Sequence, residues 1–181
     1  MSSASPSVAK DGNVRAAAVS SRRTASLTSD YRLQDGFGGT NYLTVNFRQG
    51  LDILGASHRG DDYLSRDGAS GKFSALNFWF TRYQTLTDAW SLKLAAAGQI
   101  ASGPLFTSQQ FYLGGLAFGR GYGAAEISGD NGLAGSAELR FDQKLNLQYL
   151  SYQLYGFVDT GVAWNSGYSL SEGLSLTSAG G

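Results

Sequence analysis

Residues 150–164 read LSYQLYGFVDTGVAW, and the fold prediction starts from this stretch. Apolar side chains occupy most alternate positions, and the positions between them include Ser151, Gln153, Asp159 and Gly161. Successive side chains of a β-strand point to opposite faces, so a period of two indicates a strand with one apolar and one polar face. We therefore predict a long strand here, with Asp159 on its polar face.

The same alternation recurs elsewhere in the chain. It is clear in residues 42–52, 73–85, 90–100 and 133–142, and weaker near 25–33 and from Gly173 onward. The count is about seven strands, and the clear ones run for about 11 to 15 residues, against about 5 to 6 in soluble folds. This length favours a transmembrane barrel, although a soluble β-sandwich shows the same alternation.

The connections between these strands are short and long in turn. The short ones lie near 35–39, 87–88 and 144–148, and the long ones at 54–70, 103–132 and 165–172. Outer-membrane barrels combine this arrangement with short periplasmic turns, long external loops and aromatic residues at the membrane interfaces. We predict an all-β fold, an antiparallel up-and-down transmembrane β-barrel, present as a partial barrel of about seven strands.

The composition excludes several other classes of protein. The 25 glycines among 181 residues argue against long packed helices. The 14 basic and 14 acidic residues give no net charge, so the basic excess of a nucleic-acid binder is missing. The chain has no cysteine, which excludes thiol catalysis, and its single histidine leaves few possible zinc ligands. We expect no catalytic residues, no metal, no cofactor and no nucleic-acid partner.

Three stretches of sequence point to a family. Residues 110–122 read QFYLGGLAFGRGY, residues 126–132 read EISGDNG, and residues 157–161 read FVDTG. They resemble the haemolysin secretion/activation family of two-partner secretion transporters, a branch of an outer-membrane barrel superfamily that also contains barrel-assembly proteins. That superfamily has an Arg-Gly-Tyr/Phe tip on an external loop that folds back into the lumen, and a Phe-x-Asp-x-Gly strand motif. The segment 130–132 alone is also ordinary turn chemistry.

The resemblance implies roles for particular residues in and near residues 103–132, which we call the pore loop. The pore-loop motif comprises Leu113, Gly114, Gly115, Arg120, Gly121 and Tyr122, and the strand motif that seats the loop comprises Phe157, Asp159 and Gly161. Strand alternation places Asp159 toward the lumen, where Arg120 could meet it, together with the lumenal charges Glu138 and Arg140. Gly119 stands where the superfamily usually has valine, which predicts a more flexible loop tip.

The resemblance also implies a function. Members export a large partner protein of haemolysin or adhesin type across the bacterial outer membrane, so the expected partners are a secreted exoprotein and outer-membrane lipid. The chain is expected to be a transporter and not an enzyme. Two alternatives stay open: a barrel-assembly-type insertase, which shares Arg120 and Asp159, and a passive porin-like barrel without a protein substrate.

We divide the chain into a polar N-terminal segment, 1–16, and a partial barrel domain, 17–181. The strand pattern breaks off at the end of the sequence. We therefore expect the C-terminal part of a barrel without its last strands, which should not close or transport alone because two strand edges stay unpaired.

Three other features have simpler explanations. Residues 119–123, GRGYG, look like a phosphate-binding loop, but such loops precede a helix and a strand is predicted to follow here. The spacing of Asp61, Asp62 and Asp67 does not match a calcium-binding loop. His58 has no neighbours that define a catalytic triad. We interpret these residues as parts of solvated loops.

Overall fold

The computed structural model describes residues 10–17, 24–51, 72–144, 151–167 and 169–181. Ten strands lie in these ranges: β1 (Lys10–Ala17), β2 (Thr24–Gln34), β3 (Gly39–Gly50), β4 (Ser74–Thr85), β5 (Trp90–Ala101), β6 (Phe111–Leu113), β7 (Ile127–Gly129), β8 (Asn131–Lys144), β9 (Ser151–Trp164) and β10 (Leu174–Gly180). Two single-turn 3-10 helices, Thr107–Gln109 and Leu170–Glu172, lie in the connections.

Eight strands form one antiparallel sheet in the order β1-β2-β3-β4-β5-β8-β9-β10. This is the predicted up-and-down arrangement, with one strand beyond the approximate count because β1 pairs with β2. Strand pairing thus begins within residues 1–16, which the sequence analysis sets apart as a polar segment. Within the described ranges, β1 and β10 are the two edges of the sheet and do not pair with each other.

The two faces of the sheet differ as the alternation predicts. We call the face to which Asn46, Gln99, Glu138 and Asp159 point the inner face. Large apolar side chains of the opposite, outer face are exposed: Leu27, Phe47, Leu76, Phe78, Ile100, Leu133, Leu139, Leu154 and Val158. Exposed apolar positions that alternate with polar ones are typical of strands that contact lipid on one side.

The pore loop folds over the inner face of β5, β8, β9 and β10. The connection between β5 and β8 runs from 102 to 130, slightly shorter at its end than the predicted 103–132, because Asn131 and Gly132 already pair with Trp164 and Ala163. Its short strands β6 and β7 pair as a hairpin. The sheet is lined by small residues at this place, and the buried cluster comprises Ala97, Leu113, Phe118, Ala134, Ala163 and Leu176.

The two short turns that the structure describes are each closed by a side-chain oxygen. Asp35 Oδ1 accepts the backbone N–H groups of Phe37 at 3.1 Å and Gly39 at 3.0 Å. Thr87 Oγ1 accepts the N–H groups of Ala89 at 3.3 Å and Trp90 at 3.1 Å. Asp and Thr favour turns because they satisfy the turn's own backbone donors.

The Asp35 turn gives a pH prediction. Arg82 Nη1 lies 2.6 Å from Asp35 Oδ2, and this hydrogen bond is the largest of several that together lower the pKa of the carboxyl group from 3.8 to about 2. A pKa lower in the folded state means that the pairing stabilises the fold above pH 3.8 and loses this effect as the pH falls through about 2. Carbon-13 titration of Asp35 should show Arg82→Gln moving its pKa upward, whereas Arg32→Gln should leave it unchanged.

The described ranges contain no helix long and apolar enough to cross a membrane. Nor do they contain a group of three or more His, Cys, Asp or Glu side chains placed to hold a metal ion. Asp61, Asp62, Asp67 and His58 lie outside the residues that the structure describes.

Candidate functional site

The site is centred on Asp159, which points from the middle of β9 to the inner face. Its side chain is fully buried, with no exposed surface. Ser136 lies opposite it on β8 and donates a hydrogen bond from Oγ to Asp159 Oδ1 at 2.7 Å. A buried carboxylate needs compensating donors, and one hydroxyl group is too little; the others come from the pore loop.

Arg120 at the tip of the pore loop binds both oxygens of Asp159. Its Nε donates to Oδ2 at 3.0 Å and its Nη2 to Oδ1 at 2.9 Å, the paired geometry in which guanidinium and carboxylate fit best. The backbone N–H groups of Gly119 and Arg120 also donate to Oδ2, at 3.2 and 3.0 Å. Asp159 therefore accepts hydrogen bonds from the loop's backbone as well as from its arginine.

Glu138 and Arg140 extend the ion pair into a group of four charges. Arg120 Nη1 contacts Glu138 Oε2, and the Nε and Nη2 of Arg140 lie 2.6 Å from Glu138 Oε1. Two guanidinium groups thus balance two carboxylates. The hydrogen bond to Asp159 raises the pKa of Arg120 above its ordinary value; desolvation by burial opposes this shift, and the hydrogen bond to Glu138 adds to it. The arginine stays charged while it is in place.

Phe157 completes the surroundings of the arginine. The Arg120 Cζ atom lies 3.6 Å from the centre of the Phe157 ring, a close cation–π contact. Phe157 is opposite Glu138 in the register of β8 and β9. The structure therefore brings Arg120 together with the first two members of the strand motif and with both predicted lumenal charges.

Gly161, the last member of the strand motif, makes room for Leu113. A Cβ atom at position 161 would lie 2.8 Å from Leu113 Cδ1, which is too close for an ordinary contact. Leu113 is buried, and its position at the end of β6 brings the loop hairpin directly against β9. β9 thus contacts the loop at two points, at Leu113 through Gly161 and at Arg120 through Asp159.

The remaining motif residues shape the tip. Gly114 and Gly115 have φ angles of +108° and +91°, and Gly121 has +97°, a conformation that favours glycine. At Gly114 a Cβ atom would also lie 2.2 Å from the carbonyl oxygen of Gly123. Tyr122 Oη donates to the backbone carbonyl of Thr177 at 3.1 Å. The tip therefore contacts the edge strand β10 as well as β9.

The structure gives Gly119 a role beyond the flexibility expected from sequence. Its φ is +84°, and a Cβ atom there would lie 2.6 Å from Leu176 Cδ1. Its N–H is also one of the donors to Asp159. The glycine that replaces the usual valine is thus matched to Leu176 on β10 and to the backbone conformation of the tip.

We expect Gly119→Val to weaken the attachment of the tip. A left-handed conformation costs a residue with a Cβ about 1–2 kcal/mol, and the contact with Leu176 adds to this cost. Leu176→Ala should recover only the part due to the contact. Protease cleavage in the tip measures the effect; a valine variant that is protected as well as the unchanged protein would contradict the prediction.

A second polar group lies at the base of the loop and was not predicted from the sequence. Asp130 is fully buried and belongs to this group with Arg48, Gln99 and Gln109. From the sequence, Asp130 is part of a segment that resembles the family and is most simply explained as turn chemistry, which does not predict this group. The alternation in the sequence places Arg48 and Gln99 on the polar faces of their strands, but it does not give the register that brings these strands together.

The alternative interpretation of residues 119–123 as a phosphate-binding loop lacks its helix. Within the described residues, the segment is followed by the strand β7, as the sequence predicts. The glycines instead serve the tight path of the loop tip around Arg120.

Comparisons with known proteins are consistent with this geometry. A family model described as "Haemolysin secretion/activation protein ShlB/FhaC/HecB" matches residues 13–181. Among solved structures, the chain is similar to CdiB from Escherichia coli, with a TM-score of 0.67 and 22% identity over 87% of this chain and 29% of that one. No curated protein sequence matches it. The chain spans less than a third of the CdiB chain, and the likeness confirms the predicted barrel fold, present in part.

Proposed function

Because this chain belongs to the haemolysin secretion/activation family, as its motifs predict, we propose that it forms part of a transporter that exports a large exoprotein by two-partner secretion. In this proposal the transporter lies in the bacterial outer membrane, and the apolar outer face of its sheet contacts lipid. Its work is the passage of a polypeptide and involves no catalysed reaction.

The attachment of the pore loop carries this proposal. The loop covers the inner face of four strands, and one arginine at its tip, whose side chain is 18% exposed, binds two carboxylates. Buried ion pairs contribute little net stability, because desolvation offsets much of their attraction. Such a pair fixes the tip in one position yet allows it to leave when another polypeptide competes for the lumen.

Export by the cell tests the proposal directly. The DNA on both sides of this reading frame is sequenced for the gene of a large secreted protein. That protein is then measured in the medium with the transporter gene intact, deleted and restored. Deletion should abolish secretion, while the amounts of the cell's other outer-membrane barrels stay unchanged.

The alternatives predict different results in the same experiment. An insertase predicts that deletion lowers the amounts of several unrelated outer-membrane barrels. A passive porin predicts that secretion is unchanged and only the uptake of small solutes falls. Either result would contradict the proposed export function.

A further inference from the structure

The base of the pore loop is attached to the sheet separately from its tip. We call residues 105–113 and 127–130 the stem and residues 114–126 the tip. Asp130, at the end of the stem, accepts the N–H of Leu105 on Oδ1 at 2.9 Å and the N–H of Ser166 on Oδ2 at 2.8 Å. One buried carboxylate thus connects the beginning of the stem, its end, and the connection that follows β9.

Gln99 joins the stem to the wall of the sheet. It lies on the inner face of β5, and its Nε2 donates to the carbonyl oxygens of Asp130 at 2.9 Å and Gln109 at 3.1 Å. Its Oε1 accepts a hydrogen bond from Arg48 Nη2 at 2.8 Å. Both polar atoms of this buried side-chain amide are therefore used, the nitrogen toward the loop and the oxygen toward β3.

Arg48 completes the attachment from β3. Its Nε donates to Asn77 Oδ1 on β4 at 3.2 Å, its Nη2 to the carbonyl oxygen of Gln109 at 3.3 Å, and its Nη1 contacts Gln109 Oε1. Three neighbouring strands, β3, β4 and β5, are thereby linked to the stem. We call Arg48, Gln99, Gln109 and Asp130 the stem clamp.

The stem also packs more closely on the sheet than hydrogen bonds alone would require. A Cβ atom at Gly132 would lie 2.0 Å from the ring of Phe111, and one at Gly129 would lie 2.6 Å from the backbone of Trp164. Gly114 and Gly115 follow directly after β6, both with positive φ. A pair of glycines with left-handed backbone therefore stands where the stem ends and the tip begins.

We infer that the pore loop opens by movement of its tip about Gly114 and Gly115, while the stem clamp holds the stem against β3, β4 and β5. Asp130 is then a positioning residue for transport, acting through the path of the loop. This inference rests on the proposed export function. In this inference residues 114–126 move, and the stem stays attached to the barrel wall.

Cross-linking distinguishes a moving tip from a moving loop. The chain has no cysteine, so pairs can be introduced without background. Asn46 on β3 and Gln110 in the stem line the same cleft of about 340 Å³, so a cross-link between these two positions would join the barrel wall to the stem. The rings of Trp79 on β4 and Phe118 in the tip have centres 5.0 Å apart, so a cross-link between these two positions would join the barrel wall to the tip. Both cysteine pairs are made in the complete transporter and joined in the membrane with bis-maleimides that match each span.

The tip cross-link should abolish both secretion and the channel openings recorded in planar bilayers. The stem cross-link should leave both near their values before linking. Loss of openings with the stem pair, or normal openings with the tip pair, would overturn the inference. The bilayer recording uses no exoprotein, so it reports on the loop even if secretion depends on another transporter, a result that would contradict only the proposed function.

Asp130 is tested by rescue. Asp130→Ala leaves the N–H groups of Leu105 and Ser166 without this acceptor and should raise the leak current. Adding the Asn46–Gln110 cross-link to this variant should restore the low current, and Asp130→Asn should leak less than the alanine variant. If the cross-link does not lower the leak of a variant that still inserts as a folded barrel, Asp130 does not position the stem. If the alanine variant fails to insert, the same comparison is made with Gln99→Ala.

Discussion

Arg120→Ala should release the tip of the pore loop and reduce export to the level of a strain without the transporter, because the tip then no longer takes the one position from which it moves during export and to which it returns. The substitution leaves Asp159 and Glu138 buried beside each other without Arg120 as their shared cation. Removing one partner of a buried ion pair costs about 3–5 kcal/mol, and this cost weighs against the attached position of the tip, which the packing of Phe118 and the hydrogen bond of Tyr122 still favour. Protease sensitivity of the tip, bilayer conductance and secretion measure the effect.

A second experiment neutralises Asp159, the carboxylate that loses Arg120 as its partner. Adding Asp159→Asn to Arg120→Ala removes the unpaired charge and should recover part of the barrel's resistance to unfolding in detergent without restoring export. Exchanging the charges of residues 120 and 159 is less informative, because a carboxylate at position 120 would face the carboxylate of Glu138.

Arg32→Ala is the matched control. Arg32 lies on β2, and its guanidinium group packs over the ring of Tyr42 on β3, apart from the contacts of Arg120. Equal loss of export in the control would contradict a specific role for Arg120.

Gly161→Val should expel the hairpin of the pore loop by steric conflict, with every charge left in place. The first atom of the new side chain would lie 2.8 Å from Leu113 Cδ1 and 3.2 Å from the carbonyl oxygen of Leu133. Overpacking of this kind costs about 1–3 kcal/mol. Because the barrel wall itself stays paired, we expect a folded barrel with raised basal conductance and greater sensitivity of the cells to large antibiotics.

The same strand supplies the control for this prediction. Gly156 lies on the opposite face of β9, where the nearest neighbour of an added Cβ atom is 3.8 Å away, so Gly156→Val should change neither conductance nor sensitivity. Leu113→Ala combined with Gly161→Val should lower the leak, because it removes the atom in conflict. A leak from both glycine variants would point to damage of the strand instead of displacement of the loop.

The sequence predicted much of the Arg120 site for a physical reason. Strand alternation places Asp159, Glu138 and Arg140 on one face, since side-chain direction follows from position parity alone. The motif resemblance supplied the partner on the loop. The donors from the backbone of Gly119 and Arg120 and the ring of Phe157 under the guanidinium depend on the path of the tip, which parity does not describe.

The stem clamp shows the opposite case. Arg48, Gln99 and Asp130 lie far apart in the sequence, and each alone is an ordinary polar residue of a strand or a turn. They meet because β3, β4, β5 and the stem are aligned by registers set through long-range pairing. No local pattern contains that alignment.

The amino-acid sequence by itself determined the strand periods, the order of short and long connections, the face of each charged residue and the family. These follow from local geometry and from contiguous motifs. The tertiary structure alone decided that β1 joins the sheet, that Gly119 and Gly161 are matched in space to Leu176 and Leu113, and that the loop is fastened at two separate places. Such contacts join segments distant in the chain, so they exist only once the sheet has brought its strands into register.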